Sequence, residues 1–189
     1  MTKSSKGSSF EREICKQLSL WWTDDERDDV FWRTSGSGAR ATTRRKNDIR
    51  TKYEYGDVTF TDPIGQPFID VFLIELKRGY SSDVSVLDLL DKDIDMKLPI
   101  LLQWWKKAEE EKQFAERKYS IIIFRRNRRK ACIFMSRQLY NVLADQSGDF
   151  SGSNITWRPA QEIYEVNYFE LLLFEDFLKW VTPETIKNL

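Results

Sequence analysis

The stretch GDVTFTDPIGQPFIDVFLIELKRG, residues 56–79, decides how this chain is read. Residues 57–61 and 69–77 have the β-branched and aromatic content of strands. Between them, Asp62-Pro63-Ile64-Gly65 carries the Pro and Gly preferences of a type I turn, so the spacing predicts a hairpin. Acidic side chains are uncommon in strands, because a charge on a sheet face must be solvated, paired or bound to a cation. Glu75 breaks that rule, and Lys77 adds a second charge beside it. Lying two residues apart, they project from one face, while Ile74 and Leu76 point into the apolar layer. Asp57 heads the neighbouring strand. A tight turn would pair Asp57 with Asp70; centring the hairpin near Gln66 instead sets Asp57 opposite Glu75 and Thr59 opposite Leu73, with Pro63 and Pro67 in a wider loop. Two carboxylates and an ammonium then converge at one sheet edge, where a hard divalent cation would supply compensating charge.

Outward from this hairpin, Phe10, Ile14, Leu18, Trp21 and Trp22 recur at helical spacing, predicting a helix over 10–22 with Ser8 as N-cap. The acidic break TDDERDD (23–29) precedes a basic, apolar-poor loop, RTSGSGARATTRRKNDIRTK (33–52). Residues 83–98 read as helical, and Pro99 starts a further helix with the stripe Leu101, Trp104, Trp105, Ala108 and Ala115. Tyr119–Phe124 and Ala131–Met135 read as strands around the turn RRNRRK (125–130). A flexible connection over 145–154 leads to an apolar terminal helix over 169–181. The order helix, strands, helix, strands gives a mixed α/β domain.

Composition narrows the chemistry. In 189 residues, 41% are hydrophobic and 14% aromatic, enough apolar surface to offset chain entropy and exclude intrinsic disorder. Thirty basic residues balance thirty acidic ones, so a polyanion would be held by a local patch rather than a diffuse cationic coat. There is no histidine, which removes imidazole bases and histidine metal ligands. Catalysis would run on carboxylates, lysine and metal. Cys15 and Cys132 lack CxxC spacing, so no zinc site or disulfide framework is indicated and a cytoplasmic location fits. The short apolar runs and the polar start MTKSSKGSS suggest neither a membrane span nor an export signal.

Gly56-Asp57, followed eighteen residues later by Glu75-Leu76-Lys77, resembles the metal-binding motif of the PD-(D/E)xK nuclease superfamily, with Gly56 where a Pro is usual. KGSSFERE (6–13), RTSGSGAR (33–40) and FAERKYSIIIFRRNRRKACIFM (114–135) extend the resemblance to archaeal-type Holliday junction resolvases and related phage endonucleases over roughly residues 6–136. The resemblance implies a restriction-endonuclease-like core, a central mixed sheet flanked by helices, which we assign to 1–144; residues 145–189, which have no counterpart in the resemblance, read as a flexible connection and a C-terminal helical extension packed on the core. It further implies Mg²⁺-dependent hydrolysis of DNA, Mn²⁺ as a substitute, and a homodimer acting on branched DNA. Glu11, Asp57, Glu75 and the Leu76 carbonyl would hold the metal and Lys77 would assist attack. A restriction-like or end-processing nuclease, or an inactive DNA-binding module on the same fold, are the alternatives.

Blander roles compete at several positions. Ser8-x-x-Glu11 is also a capping box, although Glu11 shares the stripe of Cys15, Leu18 and Trp22 whereas Glu13 faces away. Arg33, Ser35, Arg40, Arg44, Arg45 and Lys46, with Arg125, Arg126, Arg128 and Arg129, are candidate phosphate contacts or solvated turns. The pairs Trp21-Trp22 and Trp104-Trp105 suit a core better than a base-stacking platform, and Gln103 falls off the apolar stripe.

Overall fold

A computed structural model describes residues 3–34, 53, 55–79, 87, 98–158 and 168–189. In chain order these form α1 (Lys3–Trp22), β1 (Phe31–Arg33), β2 (Val58–Phe60), a 3-10 turn (Pro63–Gly65), α2 (Gln66–Val71) and β3 (Phe72–Arg78). Then follow α3 (Ile100–Ala115), β4 (Tyr119–Arg125), β5 (Cys132–Ser136), α4 (Arg137–Ser147), β6 (Asn154–Trp157), β7 (Phe169–Leu173), α5 (Phe174–Trp180) and α6 (Pro183–Lys187).

Among the described residues, five strands make the central sheet in the order β3-β4-β5-β7-β6. β3 and β4 run parallel over seven residue pairs, and the other neighbours are antiparallel, so the sheet is mixed. Strand alternation divides the apolar residues between two cores. Phe72, Ile74, Leu76, Ile121, Ile123, Ile133, Met135 and Leu172 pack with Phe10, Ile14, Leu18 and Trp22 of α1 and with Leu139, Leu143, Phe177 and Ile186 of the later helices. On the opposite face Ile122, Phe124, Phe134, Trp157 and Phe169 meet Leu101, Leu102, Trp104 and Trp105 of α3. Trp105 packs edge-on against Phe134 and Phe169, with ring centroids 5.9 and 5.1 Å away. Both expected tryptophan pairs are packed among core aromatics. The expected α/β class, with a mixed sheet flanked by helices, is what the structure shows.

Five local expectations are corrected. α1 begins five residues before Ser8, so Ser8 lies inside the helix and the capping-box reading of Glu11 falls. The turn KSSKGSS lacks apolar periodicity, so nothing in its pattern marks it as helix. Left-handed Asp24 and Asp25 then end the helix, with the Asp25 N–H on the Leu20 carbonyl.

The hairpin of β2 and β3 does not form. β2 pairs with β1, a strand the sequence pattern did not reveal, and β3 pairs with β4. The turn signal at 62–65 is real but local: Asp62 caps a 3-10 turn, accepting from Ile64 N–H at 3.0 Å, and Gly65 N–H returns to the Asp62 carbonyl. Pro67 then sits in the first turn of α2, where its missing N–H is harmless, and Phe68, Ile69 and Val71 are buried. β3 therefore starts at Phe72 rather than Ile69.

The expected helix over 169–181 divides into strand β7 and helix α5, because the edge of β5 offers backbone partners from Cys132 to Ser136. On β7, Glu170 is fully buried, with Arg137 and Asn154 as partners. β6 and β7 thus belong to the same sheet as β3, and the connection expected over 145–154 narrows to 148–153. The expected helix over 83–98 lies outside the described residues apart from Leu87 and Leu98.

Candidate active site

Among the described residues β3 ends the sheet, and one row of its backbone groups is not used by β4. The segment ahead of β2 occupies that row without forming a ladder. Asp57 N–H donates to the Ile74 carbonyl at 2.8 Å, and the Leu76 N–H donates to Asp57 Oδ2 at 2.7 Å. On the other side, Thr34 N–H bonds the Asp57 carbonyl at 3.0 Å, tying the end of β1 to the same point. A strand residue directs its N–H and C=O to the same side, so the Leu76 carbonyl opens on the edge where Asp57 sits. Gly56 makes this approach possible. Its φ is +75°, and a Cβ there would lie 3.0 Å from the Ile74 carbonyl oxygen.

Asp57 and Glu75 therefore meet although the hairpin register expected for them is absent. Lys77 joins them: its ammonium is ion-paired to Glu75 and lies 3.6 Å from Asp57 Oδ2. Glu75 is 1% exposed. Burial pulls the Lys77 pKa down, but the charges of Glu75 and Asp57 outweigh it and hold the ammonium above the ordinary lysine value. As expected, Glu75 and Lys77 share one face and Ile74 and Leu76 the other.

Lys107 and Glu111 complete the cluster, and sequence reasoning missed both. From α3, Lys107 Nζ reaches Glu75 Oε1 at 3.1 Å and Glu111 Oε1 at 3.2 Å. The other Glu111 oxygen accepts the Gly56 N–H at 3.4 Å. Desolvation works against the Lys107 charge, yet Glu75 and Glu111 raise its pKa above the usual range. The only sequence signal was an i,i+4 Lys-Glu pair in KKAEEEK, which looks like any solvated helix face.

Glu11 is placed beside this cluster rather than within it. Its carboxylate lies 3.4 Å from Arg33 Nη1. Both Glu11 and Asp57 act on the buried Cys15, whose pKa is pushed up to about 12, first by burial and then by those two charges. Glu13, which the helical pattern turned away from the core stripe, holds Arg125 through two bonds of 2.6 Å, and the Arg125 guanidinium lies 4.7 Å over Phe10. That bond is the main reason the Glu13 carboxyl sits below its ordinary pKa. Arg125 thus fastens α1 to the sheet. Arg126, Arg128 and Arg129 are exposed at the β4–β5 turn. Arg128, Arg129, Lys130, Gln17 and Phe174 help to line a cavity of about 360 Å³ there. Because β3 and β4 are parallel and Arg78 pairs with Arg125, this turn and Lys77 lie toward the same end of the sheet. Ser35, Arg40, Arg44, Arg45 and Lys46 lie outside the described residues.

Among the described residues, no three Asp, Glu or Cys side chains converge as a closed metal cage. Asp57, Glu75 and the Leu76 carbonyl offer an all-oxygen donor set, with the Lys77 ammonium against both carboxylates and the Lys107 ammonium against Glu75. That set suits a hard cation such as Mg²⁺, which binds through one or two carboxylates and keeps several waters, better than a caged metal. Among the described residues, no helix is long and apolar enough to cross a membrane.

A family model described as "Phage putative PDDEXK endonuclease" matches residues 2–188. No curated protein and no solved structure matches the chain. The family match spans α1, the Asp57–Glu75–Lys77 edge and the terminal strands and helices alike, so the chain belongs to the phage PDDEXK endonuclease family.

Proposed function

We propose that the protein is a Mg²⁺-dependent DNA endonuclease hydrolysing phosphodiester bonds, with Mn²⁺ as a substitute and branched DNA as the first substrate class to test. The observation that carries this reading is the convergence of Asp57, Glu75 and Lys77 on the edge of β3. Asp57, Glu75 and the Leu76 carbonyl would hold the cation, with Glu11 supporting it from α1. When bound, such a cation polarises the phosphodiester and acidifies a water on it.

The remaining work falls to the chain's own groups. Two carboxylates fix Lys77, so its ammonium is aimed before substrate arrives and can stabilise charge developing on the phosphoryl oxygens. The low exposure of Glu75 and Lys77 strengthens those interactions by limiting water. Arg33, Ser35, Arg40, Arg44, Arg45 and Lys46, with Arg126, Arg128 and Arg129, would contact flanking phosphates. They position the backbone rather than read bases. No imidazole is needed, which agrees with the missing histidine. A homodimer, as the resemblance implies, would offer two such centres to one DNA, and the two cysteines, which lack CxxC spacing, suit a cytoplasmic setting.

The test incubates labelled linear, nicked, flapped and four-way DNA with protein in Mg²⁺, Mn²⁺ or EDTA. Cleavage in metal that is lost in EDTA, and lost in Asp57→Asn and Glu75→Gln with the fold intact, supports the proposal. Equal cleavage by the double variant refutes the site. The preferred DNA form decides between junction cutting and restriction-like or end-processing activity.

A further inference from the structure

Glu75 has two ammonium partners, and they differ in their freedom. The Lys77 side chain is 16% exposed on a central-sheet strand, whereas the Lys107 side chain is 54% exposed on a helix surface. Lys107 also has a second partner in place, since Glu111 Oε1 lies 3.2 Å from its Nζ one helical turn along. Leaving Glu75 would cost Lys107 one ion pair and not both.

A divalent cation on Asp57 and Glu75 meets like charge from both lysines. Lys77 is enclosed and shared by the two carboxylates; Lys107, with the same flexible side chain, has the greater exposure to solvent and the alternative acceptor. We propose that Lys107 is a displaceable counter-cation of the metal site: it pairs with the buried Glu75 carboxylate in the metal-free protein and retires to Glu111 when the cation binds. The same Glu111 holds the Gly56 N–H through its other oxygen, so the acceptor that receives Lys107 also anchors the residue preceding Asp57. Lys107 is thereby a positioning residue that sets the metal concentration at which the site fills.

This inference rests on the metal reading above, and its test separates the two. Mn²⁺ and Mg²⁺ are titrated calorimetrically into wild type, Asp57→Asn, Lys107→Met, Lys107→Arg and Lys106→Met. Lys106, the preceding residue of α3, is exposed and its replacement makes the same change in net charge. Since a half-exposed ion pair contributes modestly, Lys107→Met is expected to bind metal about three- to tenfold more tightly than wild type. Lys107→Arg and Lys106→Met should match wild type within about twofold. The melting temperature of Lys107→Met should also rise more on adding saturating Mg²⁺ than that of wild type.

Metal binding by wild type that Lys107→Met leaves unchanged or weakens overturns the counter-cation role while leaving the metal site standing. An equal gain in Lys106→Met overturns it too, as the effect would then be one of general charge. No metal binding by wild type overturns both readings.

Discussion

Replacing Gly56 by Ala should reduce stability and displace Asp57 together, because one backbone contact serves both. The residue has φ +75°, where an L side chain carries a strain of about 1–2 kcal/mol. The new Cβ would lie 3.0 Å from the Ile74 oxygen and 3.3 Å from the Ile74 nitrogen. These are backbone atoms of a strand held in register with Ile121 on β4, so they cannot turn aside as a flexible side chain would. Relief must come from Gly56 backing away, which stretches the 2.8 Å bond from Asp57 N–H to the Ile74 carbonyl, worth about 1 kcal/mol net. Alanine restricts the unfolded chain and returns about 0.4–1 kcal/mol. The balance is a loss of about 2 kcal/mol, or about 4–8 °C in melting temperature for a chain of this size. Thermal unfolding followed by circular dichroism measures it, and Mn²⁺ titration of the folded variant should show weakened binding, because Asp57 moves with its amide. A melting temperature within about 1 °C of wild type, with metal affinity unchanged, would refute the argument that this close approach positions Asp57.

Glu13→Gln should lower stability by about 1 kcal/mol at pH 7, the pair being partly exposed. The Glu13 pKa is lowered in the fold, so its contribution is present above the unfolded value and disappears as pH falls through the folded value; wild type and variant should therefore converge in acid denaturation. A constant difference across the titration would contradict this. Burial raises the thiol pKa at both cysteines, but Cys15 is fully buried whereas Cys132 is partly exposed, so a thiol reagent should label native protein at Cys132, slowly, and reach Cys15 only on unfolding. Mass spectrometry of the labelled peptides reads this, and rapid native labelling of Cys15 would count against its burial. Replacing Arg40, Arg44 and Arg45 together by Ala should flatten the slope of log affinity against log salt by about 0.9 per lost duplex contact, with cleavage recovered at saturating DNA. An unchanged slope would return that loop to a solvated role. Lys77→Ala should lose about 10²- to 10³-fold in single-turnover rate, and no DNA concentration should restore it.

What the sequence reveals depends on whether a signal is local. α3 and the strands β4 and β5 were legible because alternating or helical spacing records which face of each element is buried. The 62–65 turn was legible as a reversal of direction, but a turn does not specify which strands pair after it. β4 offers β3 seven paired positions, whereas β2 is three residues long and is taken by β1. Competition for an edge is decided by the whole sheet, and for the same reason β7 reads as helix until β5 is beside it.

The site divides along the same line. Asp57, Glu75 and Lys77 stood out because charges on a buried strand violate the local pattern and demand a partner. Lys107, Glu111 and Glu13 obey the local pattern of a solvated helix face, so only tertiary approach shows them reaching Glu75, Gly56 and Arg125. The groups closest to the proposed chemistry are thus the ones that break local rules, and the groups that hold them in place are the ones that keep those rules. A substitution scan guided by sequence anomaly alone would find the first set and pass over the second, even though Asp57 takes its position from the Gly56 backbone that Glu111 holds.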